Sequence, residues 1–248
     1  MHRFYLTDGI PAEGPVLLPR DIARQVWRVL RMRSGEKIGV FDGSGMEWTI
    51  ELDQVSARSV QGYVIDVSRP NTEPAVDITL YQSLIDPSQF EFVLQKGVEL
   101  GVKRFVPVVT ERVSGAGSTR VSHNRQARWS RIIQEAAEQS GRVSVPMVDA
   151  PVTLEAAFSE PFVGRFIVPW EGETNLGLKE TLVEHEVGAP EMVGILIGPK
   201  GGLTETEIIF LKGKGAVMVT LGKRILRAET AALATVSAVM YELDALTN

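Results

Sequence analysis

The sequence has 248 residues, 44% of them hydrophobic and 23% charged, with a net charge of −5; that suits one or two domains with a sizeable core and argues against a globally basic, histone-like nucleic-acid binder, though not against a local basic patch. The absence of cysteine excludes disulfide frameworks, thiolate zinc sites and cysteine nucleophiles, and His2, His123 and His185 show no metal-ligand spacing, so no metal is expected. The MHRFYL start carries no basic-then-apolar signal and no apolar run approaches ~18 residues, so a cytoplasmic protein without a membrane span is expected.

Residues 1–70 read as a small β-rich module. The run 37–41 is short and β-branched, Asp42-Gly43-Ser44-Gly45 is a turn, and 47–52 alternates as a strand does, which together predict a hairpin. A further strand is predicted over 60–67. Inside this module, Arg20, Arg24, Arg28 and Arg31 recur at helical spacing after Pro19, opposite Ile22, Val26, Val29 and Leu30. A solvated face above a buried stripe is one reading. The other is a ridge that contacts phosphates, since guanidinium forks match phosphate oxygens and four neighbouring cations would be relieved by a polyanion.

Residues 68–76 contain two prolines among polar neighbours and read as a linker, which puts the domain boundary near 70. Beyond it, strands predicted over 76–84, 105–109, 162–168, 193–197 and 216–221 alternate with helices over 87–100, 125–140, from 204, and 229–246. Such alternation implies an α/β fold with a parallel sheet between helices. A basic stretch runs through Arg112, Arg120, Arg125, Arg128 and Arg131, with no acid between Glu111 and Glu135.

Two segments are expected to carry chemistry. Gly198-Pro199-Lys200-Gly201-Gly202 lies between a predicted strand end and a helix start marked by a Thr204/Glu207 capping box. Open α/β sheets bind ligands at such turns, although a plain tight turn fits the same residues; it is neither a Walker A loop nor a G-x-G-x-x-G fingerprint. In the second segment, 219–232, a strand end leads into a loop with Lys223, Arg224 and Arg227 around Ile225 and Leu226, and then a helix with Glu229 in its first turn. Two large aliphatic residues in a loop either cover an apolar ligand face or plug the core beneath.

The segments ILIGPKGGLTETEI at 195–208 and LGKRILRAETAAL at 221–233 resemble the RsmE family of 16S rRNA uracil-N3 methyltransferases, within the SPOUT superfamily. Stretches 95–113 and 128–146 and the N-terminal HRFYL support the resemblance, which covers nearly the whole chain. It implies a PUA-like RNA-binding β-barrel over 1–70 and a SPOUT domain with a deep trefoil knot over 71–248. It also implies a homodimer acting on the small ribosomal subunit. One departure is Lys200, where the family more often has an acid.

By the same resemblance, S-adenosyl-L-methionine would sit among three loops, near the subunit interface. They carry Pro169 and Trp170, with Glu171 beside them; Gly198, Pro199 and Gly201; and Leu221, Gly222, Ile225 and Leu226. Arg227 would stabilise negative charge on the uracil carbonyls, and Glu229 would take the N3 proton or else fix Arg227 and cap the helix. Arg20, Arg24, Arg28, Arg31 and Arg112 would hold RNA phosphates. Rival expectations are a ribose 2′-O methyltransferase of the same superfamily and a non-catalytic RNA-binding or ribosome-assembly factor.

Overall fold

The computed structural model describes residues 1–7, 9–11, 14–113, 121–160, 162–182, 192–243 and 245–246. Arg120, the 114–119 stretch and His185 lie outside the described residues. The chain divides into two compact units, one comprising residues 1–73 with 137–145 and the other 74–136 with 146–248.

The first unit contains strands β1 (His2–Tyr5), β2 (Val16–Leu17), β3 (Lys37–Phe41), β4 (Glu47–Val55) and β5 (Val60–Ser68), in the sheet order β1-β3-β4-β5-β2. The expected hairpin is β3–β4, which pairs antiparallel from Lys37–Glu51 to Phe41–Glu47. Phe4, Val26, Ile38, Val40, Ile50 and Leu52 fill its core.

The arginine-bearing segment departs from the expectation of one regular helix. Helix α1 spans only Arg20–Arg24, and Gln25–Val29 continue as a π-helical turn in which the Leu30 N–H donates to the Gln25 carbonyl at 2.9 Å. Arg31 lies beyond it with φ of 55°. Spacing of four and three therefore does not place all four arginines on one ridge, because a π turn bonds five residues apart. Val29, expected in the buried stripe, is 68% exposed.

Glu73, in the linker, is satisfied within the same unit. It accepts from Arg142 Nη2 at 2.6 Å, from Ser144 Oγ at 3.1 Å and from the Val143 and Ser144 N–H groups at 3.2 Å each. Burial alone would raise its carboxyl pKa, but the Arg142 hydrogen bond and charge, with Ser144, outweigh burial and lower it from the ordinary 4.5.

The second unit is a parallel sheet. Its strands are β6 (Asp77–Ser83), β7 (Arg104–Val109), β8 (Met147–Val148), β9 (Val152–Thr153), β10 (Arg165–Pro169), β11 (Met192–Ile197) and β12 (Val217–Val219). The order is β12-β10-β11-β6-β7-β8, with β9 also pairing β7. Helices are α2 (Pro87–Glu99), α3 (His123–Ser140, whose residues from Ala137 on count with the first unit), α4 (Leu154–Ala157), α5 (Leu178–Leu182), α6 (Glu205–Gly213) and α7 (Ala228–Glu242). Tyr81, Phe158, Phe166 and Leu196 pack on one side, and the Phe90 and Trp129 rings meet at 4.6 Å.

Two strands are shorter than periodicity suggests, for identifiable reasons. The 162–168 run becomes a strand only from Arg165. Gly164 has φ of +117°, and a Cβ there would lie 2.2 Å from the Met192 carbonyl oxygen, so the chain turns sharply just before it joins the ladder. The 216–221 run pairs with β10 only over Val217–Val219. The next N–H, of Thr220, turns to the Leu176 carbonyl at 2.8 Å, and Gly222 follows with φ of 100°.

Candidate cofactor and substrate pocket

Because β10, β11 and β12 are parallel neighbours, the turns after them emerge at the same end of the sheet. That is the end where open α/β sheets bind ligands. After β10, Glu173 closes a turn by accepting the Asn175 and Leu176 N–H groups at 2.8 and 3.1 Å, which hold its carboxyl below the usual range. After β11, the Gly202 N–H donates to the Pro199 carbonyl at 3.0 Å. Gly202 has φ of +72°, and a Cβ there would lie 2.4 Å from Glu171 Oε1. The left-handed backbone of this turn favours glycine.

The expected capping box closes this loop. The Thr204 N–H donates to Glu207 Oε2 at 2.8 Å, and the Glu207 N–H returns to Thr204 Oγ1 at 3.3 Å. After β12, Lys223, Arg224 and Ile225 are exposed, and Arg227 takes the N-cap position of α7 without a side-chain cap bond.

These turns enclose two adjoining cavities. The smaller, about 310 Å³, is lined by Pro169, Trp170, Leu221, Gly222, Ile225 and Leu226, among others. The larger, about 520 Å³, is lined by Gly198, Pro199, Lys200, Arg227 and Glu229, and also by Gln89. Pro169, Glu171, Ile225, Leu226 and Ala231 border both. Volumes of this size suit a nucleoside-sized ligand. Ile225 is 89% exposed, so it does not plug the core; it offers an apolar surface at the shared border.

Not every expected residue lies on this lining. Gly201 borders neither cavity; its carbonyl instead accepts from Arg112 Nη1 at 3.0 Å, so Arg112 steadies the glycine turn. Arg20, Arg24, Arg28 and Arg31 belong to the first unit, where none of them makes an ion pair among the described residues. The second basic stretch is largely answered by acids and rings. Arg128 grips Glu91 through two bonds at 2.7 and 2.8 Å, Arg131 bonds Glu135 at 2.9 Å, and Arg125 lies 5.4 Å from the Trp129 ring centroid. Counting acids along the sequence could not reveal Glu91, which comes from α2.

Sequence reasoning missed two further features. Asp86, the N-cap residue of α2, makes no side-chain cap bond; its carboxylate pairs with Lys200 instead. Glu229 neither caps α7 nor pairs with Arg227. It accepts from Gln89 Nε2 at 3.1 Å. Both Asp86 and Gln89 follow the end of β6, so the strand-end rule that nominated the glycine turn would have nominated them too.

The donor set and shape fit S-adenosylmethionine. Ile225, Leu226 and Leu203 give apolar cover, strand-end turns give main-chain polar groups, and Glu171 and Glu229 offer negative charge to a cation. Comparison with known proteins agrees with this geometry. The sequence model of the RNA methyltransferase domain family matches residues 72–240, and that of the RNA methyltransferase PUA domain matches 27–62.

Ribosomal RNA small subunit methyltransferase E of Bacillus subtilis is 32% identical over 99% of this chain and 98% of its own length. The Synechocystis protein of that name is 34% identical over 92% of this chain and 74% of its own. Among solved structures, ribosomal RNA small subunit methyltransferase E of Neisseria gonorrhoeae, bound to S-adenosyl methionine, superposes with a TM-score of 0.84 at 35% identity, covering 97% of both chains. A methyltransferase of Legionella pneumophila with bound SAM gives 0.86 at 28% identity, covering 96% of both. A parallel α/β domain with three strand-end turns around one pocket, a matching PUA domain and full-length likeness to these enzymes place the chain in the ribosomal RNA small subunit methyltransferase E family of RNA methyltransferases.

Proposed function

We propose that this chain methylates N3 of a specific uridine in 16S rRNA of the small ribosomal subunit, with S-adenosyl-L-methionine as methyl donor. On this reading residues 1–70 hold RNA, residues 71–248 bind cofactor and target base, and the enzyme works as a homodimer in the cytoplasm. The observation that carries the reading is the shared cavity: the glycine turn after β11 and the Ile225–Leu226 loop after β12 meet in it, with Arg227 and Glu229 on its wall. The cofactor bound in the Neisseria and Legionella relatives supports the choice of ligand.

When bound, the cofactor supplies a methyl group on a sulfonium sulfur. The chain's own residues then have three tasks. Ile225 and Leu226 cover the faces of the adenine while turn backbone reads its edge. The Arg227 guanidinium stands by the uracil carbonyls, where negative charge grows once N3 loses its proton; a fixed cation there stabilises the anion. Glu229 accepts that proton. RNA phosphates are held by Arg20, Arg24, Arg28 and Arg31, with Arg112 contributing beside the glycine turn, and the base is turned out of its stack to enter.

Arg227→Ala is expected to abolish methylation while S-adenosylmethionine still binds by calorimetry. Digestion of treated small subunits and mass spectrometry of the nucleosides locates the methyl group. A 2′-O-methyl product, or full activity in the variant, overturns the assignment.

A further inference from the structure

The larger cavity contains a polar pair whose bonding is incomplete. Gln89 Nε2 donates to Glu229 Oε1 at 3.1 Å, joining the first turns of α2 and α7 on the cavity wall. The bond uses only half of each group. Glu229 Oε2 and Gln89 Oε1 are both buried, and neither has a hydrogen-bond partner. Buried acceptors without a donor are rare in folded proteins, and each calls for an explanation. Here both residues line a cavity large enough for a base, so the single N–H on an entering uracil edge can supply the donor that Glu229 Oε2 lacks. Arg227, two residues before Glu229, is exposed and borders the same space.

We propose that Gln89 is a specificity-determining and positioning residue that, together with Arg227 and Glu229, reads the N3 edge of the target uracil. The inference rests on methyl transfer to uracil at this site. The uracil edge presents a carbonyl oxygen, an N–H and a second carbonyl oxygen. Its complement is donor, acceptor, donor. Arg227 supplies one donor, the free Glu229 Oε2 supplies the acceptor, and the second N–H of the Gln89 carboxamide supplies the other donor. Cytosine reverses part of this edge: its N3 is a bare lone pair that would face the Glu229 carboxylate, and its amine would face a donor. A site whose polar groups are left unpaired by the wrong ligand discriminates strongly.

The same pair fixes which oxygen reacts. By donating to Oε1, Gln89 leaves Oε2 as the free carboxylate oxygen. The N3 proton passes to Oε2, the N3 lone pair forms the new N–C bond, and the C–S bond breaks with its electron pair remaining on sulfur. The sulfonium charge is thereby cancelled, the base leaves neutral and methylated, and the Glu229 carboxyl returns its proton to water.

The test uses the full-length protein, small subunits lacking the modification, and variants Gln89→Leu and Gln89→Glu. Both variants keep the side-chain bulk and remove the amide donor. Four quantities are read: kcat at saturating cofactor, the S-adenosylmethionine Kd by calorimetry, the melting temperature, and competition between subunits carrying uridine or cytidine at the target position. The expected result is a loss in kcat of about 100-fold, the lower end for a proton-transfer or oxyanion group. The preference for uridine should collapse by at least about tenfold in the same variants, with the cofactor Kd unchanged within about twofold.

A weakened cofactor Kd with unchanged kcat would assign the pair to the cofactor and overturn the proposal. Wild-type kcat and preference in a folded variant would overturn it as well. If the wild type forms no N3-methyluridine, the functional reading falls and this inference with it; if it does and the variants behave as wild type, only the role of Gln89 falls.

Discussion

The aliphatic loop after β12 offers the sharpest separation of binding from stability. Ile225 is 89% exposed and borders both cavities, so in the free protein its side chain gives up almost no water contact. Ile225→Ala removes three carbons. At about 0.8 kcal/mol for each buried methylene, complete cover by the adenine would forfeit about 2.4 kcal/mol, and cover of one face about half of that. A loss of about 1.2 kcal/mol weakens the cofactor Kd roughly 5–10-fold. The exposed position predicts a change in folding stability within about 0.5 kcal/mol, which in a chain of this size moves the melting temperature by less than about 2 °C. Calorimetric titration with S-adenosylmethionine and a thermal melt of the free protein measure both. A melting temperature lowered by more than about 5 °C with an unchanged Kd would refute the reasoning, because the residue would then be packing against protein rather than ligand.

Other expectations follow from single observations. The Glu73 carboxyl is lowered from 4.5 by Arg142 and Ser144, so its contribution to stability is complete above that pH and is lost as pH falls through its lower folded value. The difference in urea midpoint between wild type and Glu73→Gln should thus be constant above about pH 5 and shrink below about pH 4; a pH-independent difference would contradict the pairing. Gly164→Ala places a methyl 2.2 Å from the Met192 carbonyl oxygen at φ of +117°. It should destabilise the protein by at least about 2 kcal/mol in chemical denaturation, and a wild-type midpoint would show that the turn relaxes freely. Reversing Arg24 and Arg28 to Glu should weaken binding to small subunits and flatten its salt dependence, while cofactor affinity is unchanged; identical salt titrations would remove these residues from the RNA contact.

What the sequence disclosed and what it concealed divide along physical lines. The capping box at Thr204 and the start of α2 at Pro87 were legible because each is encoded within four residues. The parallel sheet was legible because strand and helix periodicities alternate so regularly. The π turn at Gln25–Val29 was not, since spacing assumes bonds four residues apart and the burial of Val26 with exposure of Val29 is decided by the surrounding sheet. Likewise the basic face of α3 looked unanswered in sequence, while Glu91 on α2 neutralises Arg128 across 37 positions of the chain. In the pocket, the glycine turn and the Ile225–Leu226 loop were visible as oddities of composition. Gln89 could be nominated by its place just after a strand end, but its pairing was hidden, because the partner Glu229 lies 140 positions later.

The spatial order β12-β10-β11-β6 has a consequence for how the enzyme comes into being. Strand β12 stands at the edge, beyond two strands made earlier, and the residues that complete the cavity wall, Ile225 to Ala231, come after it. A nascent chain that has emerged only as far as Gly202 has its glycine turn but lacks the opposite wall. Cofactor capture by the complete pocket must therefore await synthesis through Ala231, and shorter chains lack the wall that would hold the methyl donor.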